Sequence, residues 1–426
     1  MMRWLWPGLG VKRWMAVGAV GIALVGFGAA LSAPSAAREP GVIGFVQRHL
    51  AAVAPPWVSA LLIMLAGAAV TFLGMRQMVR SIVHTVSPKD HGRLAEALYA
   101  KRCLADGPRL VALGGGTGLS TLLRGLKLWS PNITAVVTVS DDGGSSGRLR
   151  RDLGILPPGD IRNCLVALAD VEPLMTQLFQ YRFTDKAGQG LEGHSLGNLL
   201  IAALTGVTGD FKLAVEETSK VLAIRGRVVP CTLADVRLKA EMDDGSVLVG
   251  ETTIADSPRG IARLRLEPED APPLDEVLGA IAEAQAIVVG PGSLYTSVLP
   301  NLLVPGVVEA IRRAPAPTIY VCNVMTQPGE TDGYTASRHL EMLVKHLGCN
   351  PFTVCLMNSC LPTAAVLQAY RKEGAEPVRP EAAKVLELGS RPVVADLLSD
   401  EDLARHDSQK LAAAIMSVVE ALPPAR

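Results

Sequence analysis

Two long uncharged segments stand out at the start of the hydropathy pattern. They comprise residues 14–31 and 50–75, close to or above the roughly 20 residues that a helix needs to cross a membrane. The basic residues that flank the pair on its outer sides are Arg3, Lys12, Arg13, Arg76, Arg80 and Lys89. The pattern predicts a membrane hairpin within residues 1–80, with helices at about 14–33 and 56–75.

The charges around this hairpin predict its orientation. The loop between the segments carries only Arg38, Glu39 and Arg48 as formal charges. By the positive-inside rule, both ends of the hairpin and the following domain lie in the cytoplasm, at the inner membrane. The glycines that would let the two helices pack closely are Gly18, Gly21, Gly26, Gly28 and Gly67.

A cleaved signal peptide is the alternative for the first segment. Ala33, Ser35, Ala36 and Ala37 form a small-residue sequence of the kind that signal peptidase cleaves. The long apolar core favours a retained helix instead. Neither span contains an ionisable residue, so the hairpin is predicted to anchor the protein rather than to transport a solute.

After a connector at residues 81–107, short aliphatic runs alternate with helical periodicities. This alternation predicts an α/β fold, a Rossmann-like three-layer domain over residues 108–426 with a mainly parallel sheet. The predicted strands are residues 110–113, 133–139, 286–289, 318–322 and 353–357. Within residues 225–266 the pattern changes to short strands at residues 228–229, 236–242 and 247–254, with a turn at Asp244-Gly245, which predicts a small β-rich insertion.

The most distinctive loop follows the second predicted strand. Asp141 and Asp142 precede a glycine- and serine-rich stretch that leads to Arg148, Arg150 and Arg151. The small residues of this stretch are Gly143, Gly144, Ser145 and Ser146. Backbone N–H groups, hydroxyls and cations at the carboxyl end of a parallel strand are typical of a phosphate site. A solvated capping turn explains one such loop equally well.

A glycine loop follows the first predicted strand and leads into a helix from about Ser120. Its residues are Gly114, Gly115, Gly116, Thr117 and Gly118. Glycine lets an anion approach the backbone N–H groups at a helix start. The dinucleotide fingerprint would need glycine at Leu119 or Thr121, and Lys127 is too distant for a Walker loop. The loop therefore predicts a nucleotide phosphate site and disfavours a nicotinamide-dependent oxidoreductase.

Similar polar residues follow the other predicted strands or begin helices. The further candidates for ligand binding are Asn163, His194, Asn198, Gly290, Gly292, Ser293, Asn323 and Thr326. Asp160 is expected to cap the helix that carries Asn163. Helix capping explains any one of these loops, whereas several at one sheet edge predict an extended polar ligand.

Composition excludes some broad classes of function. The chain of 426 residues has 41 basic and 41 acidic residues, so it has no general attraction to nucleic acid. Its seven cysteines lack repeated CxxC spacing, which argues against a disulfide framework or a zinc site. No serine–glycine elbow or Cys–His pairing indicates a catalytic nucleophile.

Five stretches of sequence together resemble a known family. They are GGGTGLSTLLRGLK, TVSDDGGSSGRLRRDLGILPPGDIRNCLVALA, GHSLGNLL, GPGSLYTSVLPNLLVPGV and CNVMTQPGETDGYTASRHLE. The set is similar to the YvcK family of gluconeogenesis factors, which is related to the CofD enzyme 2-phospho-L-lactate transferase. The resemblance extends from residue 109 to about 422. The family's usual form is soluble, so the hairpin is expected to be a departure from it.

The resemblance implies a regulator that binds a nucleotide sugar of the UDP-N-acetylglucosamine type. It implies a role in carbon flux toward the cell envelope and in cell shape, without an established reaction. It also implies that Tyr370 and Arg405 contact the ligand, whereas the residues alone indicate a helix-surface tyrosine and a solvated arginine. A partner protein in cell-envelope synthesis and self-association are further expectations.

The related transferase implies an alternative function. That enzyme holds a metal with acids in the loop after its second strand, so Asp141 and Asp142 are the matching candidates for Mg²⁺. The alternative is therefore an Mg²⁺-dependent nucleotidyl or phospholactyl-type transferase. The motifs GGGTGLS and DDGGSSGR match the regulatory branch rather than the transferase.

Overall fold

The computed structural model describes residues 11–33, 41–50, 55–86, 107–170, 173–184, 190–399 and 403–422. The chain divides into two compact units, Met1–Lys101 and Arg102–Arg426. In its described part, the first unit consists of α1 (Val11–Leu31), α2 (Val42–Leu50) and α3 (Pro56–Val86). The segments Lys12–Leu31 and Pro56–Ser81 are long and apolar enough to span a membrane, as predicted. The sequence analysis did not predict α2.

Helices α1 and α3 approach each other closely through glycine. A methyl group added to Gly67 would lie 2.8 Å from the carbonyl oxygen of Gly21, so a larger residue would push the helices apart. The glycines that meet the opposite helix in this way are Gly21, Gly28, Gly67 and Gly74. Gly26 takes no part in this packing, because a methyl group added to it would have no atom within 4 Å. The predicted close packing is therefore present, with Gly74 as an unpredicted member.

Strands of the second unit form two sheets in the described residues. A seven-stranded sheet has the order β10-β9-β8-β7-β1-β2-β3, and a three-stranded sheet has the order β5-β4-β6. The strands are β1 (Leu110–Gly114), β2 (Ile133–Val137), β3 (Arg227–Pro230), β4 (Arg237–Met242), β5 (Val247–Val249), β6 (Ile261–Glu267), β7 (Ala286–Val289), β8 (Thr318–Val321), β9 (Val354–Asn358) and β10 (Arg391–Ala395).

Helices connect these strands. They are α4 (Gly116–Leu126), α5 (Gly144–Leu153), α6 (Gly159–Leu168), α7 (Pro173–Gln180), α8 (Leu196–Thr208), α9 (Phe211–Val221), α10 (Glu251–Ala255), α11 (Asp275–Glu283), α12 (Leu299–Leu302), α13 (Val307–Arg313), α14 (Ala336–Leu347), α15 (Ala364–Lys372), α16 (Ala382–Glu387) and α17 (Ser408–Ala421), with a π-helical turn at Leu294–Val298. Helix α4 begins at Gly116, earlier than the predicted start near Ser120.

The large sheet is parallel throughout and buried at its centre. Every residue of β1 and β2 is buried, as expected for parallel strands covered by helices on both faces. The strand order reverses between β1 and β7. Because crossover connections are right-handed, the helices of the two halves cover opposite faces of the sheet. The predicted three-layer α/β architecture is thus confirmed.

The sheet contains two edge strands beyond the five predicted ones. Strand β3 pairs in parallel with β2, with Val229 opposite Val136. The sequence analysis assigned that segment to the β-rich insertion, which was wrong. Strand β10 pairs with β9 at the other edge. Both edges are partly exposed, so they lack the continuous apolar pattern of the central strands.

The insertion is a small antiparallel sheet built around β4. Its predicted turn at Asp244-Gly245 is confirmed, because the N–H of Met242 bonds to the carbonyl of Ser246 at 2.8 Å. The expected strand over residues 247–254 ends early at Val249, and α10 follows. Gly250 lies between them with φ +102°, a conformation that ends the strand.

Candidate functional site

The carboxyl ends of β1, β2, β7 and β8 meet around one open cavity of about 490 Å³. It lies where the strand order reverses, the position at which open α/β sheets bind their ligands. The predicted site residues that line it are Gly115, Gly116, Thr117, Gly118, Asp141, Gly292, Ser293, Asn323, Thr326, Tyr370 and Arg405.

The other predicted site residues do not line this cavity. They are Gly114, Asp142, Gly143, Gly144, Ser145, Ser146, Asn163, His194, Asn198 and Gly290. Several lining residues escaped the sequence prediction of the site, and the titratable ones among them are Asp160, Glu251 and His406. Asp160 was expected to cap a helix, and no local pattern distinguished the other two.

The glycine loop after β1 forms the floor of the cavity and the start of α4. Gly116 has φ +59°, a left-handed conformation that favours glycine. Gly118 lies against the backbone carbonyl of Pro291, so any side chain here would collide with the loop after β7. Free backbone N–H groups at the start of a helix attract anions.

Asp160 holds this loop in place from α6. Its carboxylate accepts a hydrogen bond from the backbone N–H of Gly116. Asp160 is the second residue of α6, and Pro158 occupies the N-cap. The prediction that Asp160 caps its own helix was therefore wrong, because its carboxylate serves the start of α4.

Asp141 and Asp142 point in different directions. Asp141 faces the cavity and accepts a hydrogen bond from the N–H of Gly143 at 2.9 Å. Asp142 turns to the start of α10, where one carboxylate oxygen accepts the N–H of Thr252 at 3.0 Å and its hydroxyl at 2.9 Å. The two carboxylates therefore do not converge on one point, although they are neighbours in sequence.

Three carboxyl groups line one side of the cavity: Asp141, Asp160 and Glu251. Burial raises the pKa of each, to about 6 for Asp160 and about 9 for Glu251, and repulsion from Asp141 adds to the effect for these two. Glu251 therefore holds a proton at neutral pH. This side of the cavity offers both acceptors and a protonated carboxyl group to a ligand.

The carboxyl groups do not match the predicted magnesium site. Asp142, one of its two expected ligands, is bonded to Thr252 and does not line the cavity. Within the described ranges, no group of three His, Cys, Asp or Glu side chains has the geometry to hold a metal ion. The residues present do not fit the metal that the related transferase implies.

Ser145, His194 and Asn198 form a buried polar cluster behind the cavity. The Ser145 hydroxyl lies 3.0 Å from Nδ1 of His194 and accepts a hydrogen bond from the Asn198 amide at 3.0 Å. Nearby, Arg162 donates to the hydroxyl of Ser195 and to the side-chain carbonyl of Asn163. These predicted residues join α5, α6 and α8 to one another rather than face the cavity.

Two side-chain amides lock the loops after β7 and β8 together. Asn323 accepts the N–H of Gly292 at 3.1 Å and donates to the carbonyl of the same residue at 2.8 Å. Gln327 donates to the hydroxyl of Ser293 at 2.6 Å. The wall formed by these loops is therefore held in a fixed shape before any ligand arrives.

Part of the cavity wall comes from late in the chain. Tyr370 on α15 is half-buried and packs against a small apolar cluster that includes Met325 and Ala404. Arg405 is exposed beside it. Both side chains line the cavity, although the residues alone indicated a helix surface and a solvated charge.

His406 extends this wall. The backbone carbonyl of Cys322, at the end of β8, accepts a hydrogen bond from its ring. The ring atom Nε2 is buried and has no hydrogen-bond partner in the structure. Burial lowers the pKa of His406 to about 4, so the ring is neutral at pH 7.

Comparison with known proteins identifies relatives of the second unit. A family model described as "2-phospho-L-lactate transferase CofD" matches residues 110–398. Two proteins described as "Gluconeogenesis factor" are 52% identical over 309 residues, from Halalkalibacterium halodurans, and 50% identical over 314 residues, from Bacillus subtilis. These alignments cover 72% and 74% of this chain and 95% and 98% of the relatives.

A third relative aligns with nearly the whole chain. A Nostoc sp. protein described as a "Putative gluconeogenesis factor" is 46% identical over 420 residues, which is 97% of this chain and 91% of the relative. The alignment must extend into the hairpin. That part of the chain is therefore shared with at least this relative rather than peculiar to the present protein.

Solved structures support the fold of the second unit. Two crystal structures of a Bacillus halodurans protein share 50% and 51% sequence identity with this chain, at TM-scores of 0.70 and 0.71. Each covers 73% of this chain and 99% of its own.

Proposed function

Because the chain belongs to the CofD family and is similar over most of its length to gluconeogenesis factors, we propose that it is a membrane-anchored regulator that binds a nucleotide sugar. The ligand class proposed is UDP-N-acetylglucosamine or a close analogue. One observation carries the proposal: loops far apart in sequence build a single preformed cavity at the switch point of the sheet. Its volume of about 490 Å³ is that of a small-molecule site.

The two sides of the cavity suit the two ends of such a ligand. The start of α4, with hydroxyls such as that of Ser293, offers donors for a diphosphate. Tyr370 offers an aromatic face for a base, and Arg405 a cation for a phosphate. The carboxyl groups of Asp141 and Glu251 offer partners for the hydroxyls of a sugar.

Membrane anchoring is part of the same proposal. The two N-terminal helices are long and apolar enough to span a bilayer, and their outer flanks are basic. The positive-inside rule then assigns the second unit to the cytoplasm, at the inner membrane. There it would meet soluble nucleotide sugars and membrane-bound steps of cell-envelope synthesis.

Regulation rather than catalysis is proposed for the bound state. The ligand would stabilise one arrangement of the loops around the cavity, and a partner protein in envelope synthesis would recognise that arrangement. Carbon flux toward the envelope, and with it cell shape, would then follow the supply of nucleotide sugar.

Calorimetry with the purified full-length protein in detergent tests this proposal. UDP-N-acetylglucosamine should bind saturably, and chromatography of the mixture should show unchanged ligand. Tyr370→Ala and Arg405→Ala should each weaken binding at least about tenfold, a loss of about 1.4 kcal/mol. Tyr181→Ala and Arg312→Ala, which alter exposed residues that do not line the cavity, are the matched controls.

Two outcomes contradict it in different ways. The absence of binding heat with any UDP-sugar removes the proposed ligand class. Release of UMP or GMP that is abolished by Asp141→Asn would instead support the alternative, a nucleotidyl or phospholactyl-type transferase.

A further inference from the structure

Helix α2 lies in the part of the chain that joins the two long apolar helices, and it contacts both of them. The end of α1 and the start of α3 are at the same level, because Gly28 of α1 lies against Ala60 of α3. Only residues 51–55 separate α2 from α3. Five extended residues reach at most about 18 Å, so α2 stays close to this end of the hairpin.

The start of α3 has the features of a membrane boundary. Trp57 is the second residue of α3, and its side chain is exposed. Tryptophan is enriched where the hydrocarbon core of a membrane meets the headgroups. The leucines that follow it on α3 are also exposed, namely Leu61, Leu62 and Leu65. With α1 and α3 spanning the membrane as proposed, the boundary lies near Trp57, and the short connection holds α2 beside it.

One face of α2 is apolar and uncovered by protein. Val42, Phe45 and His49 are spaced three and four residues apart, so they lie on the same face of the helix. Val42 is 74% exposed and Phe45 is 57% exposed, whereas Ile43 and Val46 are half-buried. A helix with such a face at a membrane boundary buries it where the headgroups meet the acyl chains.

His49 is compatible with a position in this layer. The centre of its ring lies 4.2 Å from that of Phe45, and its Nδ1 donates to the backbone carbonyl of Phe45 at 2.9 Å. One polar atom of the ring is therefore already paired within the helix. A side chain with an apolar body and a polar tip suits the level of the headgroups.

We propose that α2 inserts Val42 and Phe45 into the lipid at the membrane surface that faces away from the cytoplasm. The inference rests on the membrane anchoring proposed above and adds a lipid-binding surface to the anchor. Helix α2 lies between the two spans and the second unit follows them, so the two lie on opposite sides of the membrane. The occupant of the uncovered face is lipid, because the short connection to α3 keeps that face at the boundary.

Photo-crosslinking of the full-length protein in intact cells tests the proposal. The photoreactive analogue p-benzoylphenylalanine replaces one residue at a time, and mass spectrometry identifies what each variant captures. Phe72, exposed on α3, is the positive control, and Leu386, exposed on α16 of the second unit, is the negative control. The variant at Phe45 should capture phospholipid at least about tenfold more often than the variant at Leu386, and about as often as the variant at Phe72.

The outcomes separate this inference from the function on which it rests. If the variant at Phe45 captures no more lipid than the variant at Leu386, or captures a protein instead, α2 does not bind lipid, while lipid captured at Phe72 leaves the anchoring intact. If the variant at Phe72 captures no lipid, the proposed membrane anchoring itself fails. All three replaced residues are exposed, so the replacements leave the packing of the protein undisturbed.

A second pair of variants separates insertion from chance contact. With the photoreactive residue at position 42, Phe45→Asp places a carboxylate on the apolar face and should lower the yield of captured lipid at least about threefold. Phe45→Leu keeps the face apolar and should retain the yield. Equal yields in the two variants would overturn the insertion of Phe45.

Discussion

The carboxylate of Asp160 on α6 accepts the backbone N–H of Gly116, the first residue of α4. The carboxylate of Asp160 thus takes up a backbone N–H that could otherwise donate a hydrogen bond to a phosphate. The bond joins the glycine loop to a second helix, and the shape of the phosphate side of the cavity depends on it.

Removal of this acceptor should loosen the loop. Asp160→Ala should lower the free energy of unfolding by about 1–3 kcal/mol, because the N–H of Gly116 loses its partner. Asp160→Asn keeps an acceptor and removes a buried charge, so it should lie within about 1 kcal/mol of the wild type. Urea unfolding of the three proteins measures the difference. Equal losses in both variants would contradict the role of the bond.

The protonation of Glu251 should make stability depend on pH. Its pKa is about 9 in the folded protein and near the ordinary value of 4.5 in the unfolded chain. Between these values the folded state holds the extra proton, so stability falls as pH rises from about 4.5 to about 9. Glu251→Gln removes this dependence.

Thermal unfolding at two pH values checks the prediction for Glu251. The unfolding temperature of Glu251→Gln should rise relative to that of the wild type as the pH increases. The difference between the two proteins should be several degrees larger at pH 8.5 than at pH 5. Glu420→Gln alters an exposed carboxyl group on α17 and serves as the control. If Glu251→Gln and the wild type differ in unfolding temperature by the same amount at both pH values, burial does not hold the proton on Glu251.

Asn323 should be required for the shape of the loop after β7. Asn323→Ala loses both hydrogen bonds to Gly292 and should cost about 1–3 kcal/mol of stability. Asn323→Asp keeps the acceptor and loses the donor, so its effect should be intermediate. Thermal unfolding and titration with UDP-N-acetylglucosamine should show losses in the same order. Wild-type stability in Asn323→Ala would argue against a locked loop.

Gly118 should not tolerate a side chain. Gly118→Ala forces a methyl group against the Pro291 carbonyl and should destabilise the protein by about 1–3 kcal/mol. Gly206→Ala is the matched control, since nothing lies near that position on α8. Its higher helix propensity should stabilise the protein by about 0.5–1 kcal/mol. Urea unfolding should therefore give a lower free energy of unfolding for Gly118→Ala and a higher one for Gly206→Ala than for the wild type.

The central part of the fold could be predicted because buried parallel strands require uninterrupted aliphatic residues. Strands β1 and β2 meet this requirement fully. Strand β10 was not predicted, and β3 was assigned to the insertion. Each begins with an exposed arginine and contains proline, which a sheet tolerates only at an edge.

The sequence predicted only those site residues that come directly after a strand. Glycines and hydroxyls after β1 and β7 reach the cavity for that reason. Of the two neighbouring acids, Asp141 lines the cavity and Asp142 does not, because neighbouring residues of an extended segment project to opposite sides. That alternation was a usable signal. Glu251 and His406 reach the cavity through tertiary packing alone, which no local pattern reveals.

The cavity wall at Arg405 and His406 lies outside the stretch of chain that encodes the sheet. A protein shortened after residue 398 would keep every described strand and the whole region that matches the family model. It would nevertheless lack the arginine and the imidazole. It would also lose α17, whose Leu411, Ile415 and Met416 belong to the buried core, so the same short segment supports both the rim of the cavity and the packing beneath it.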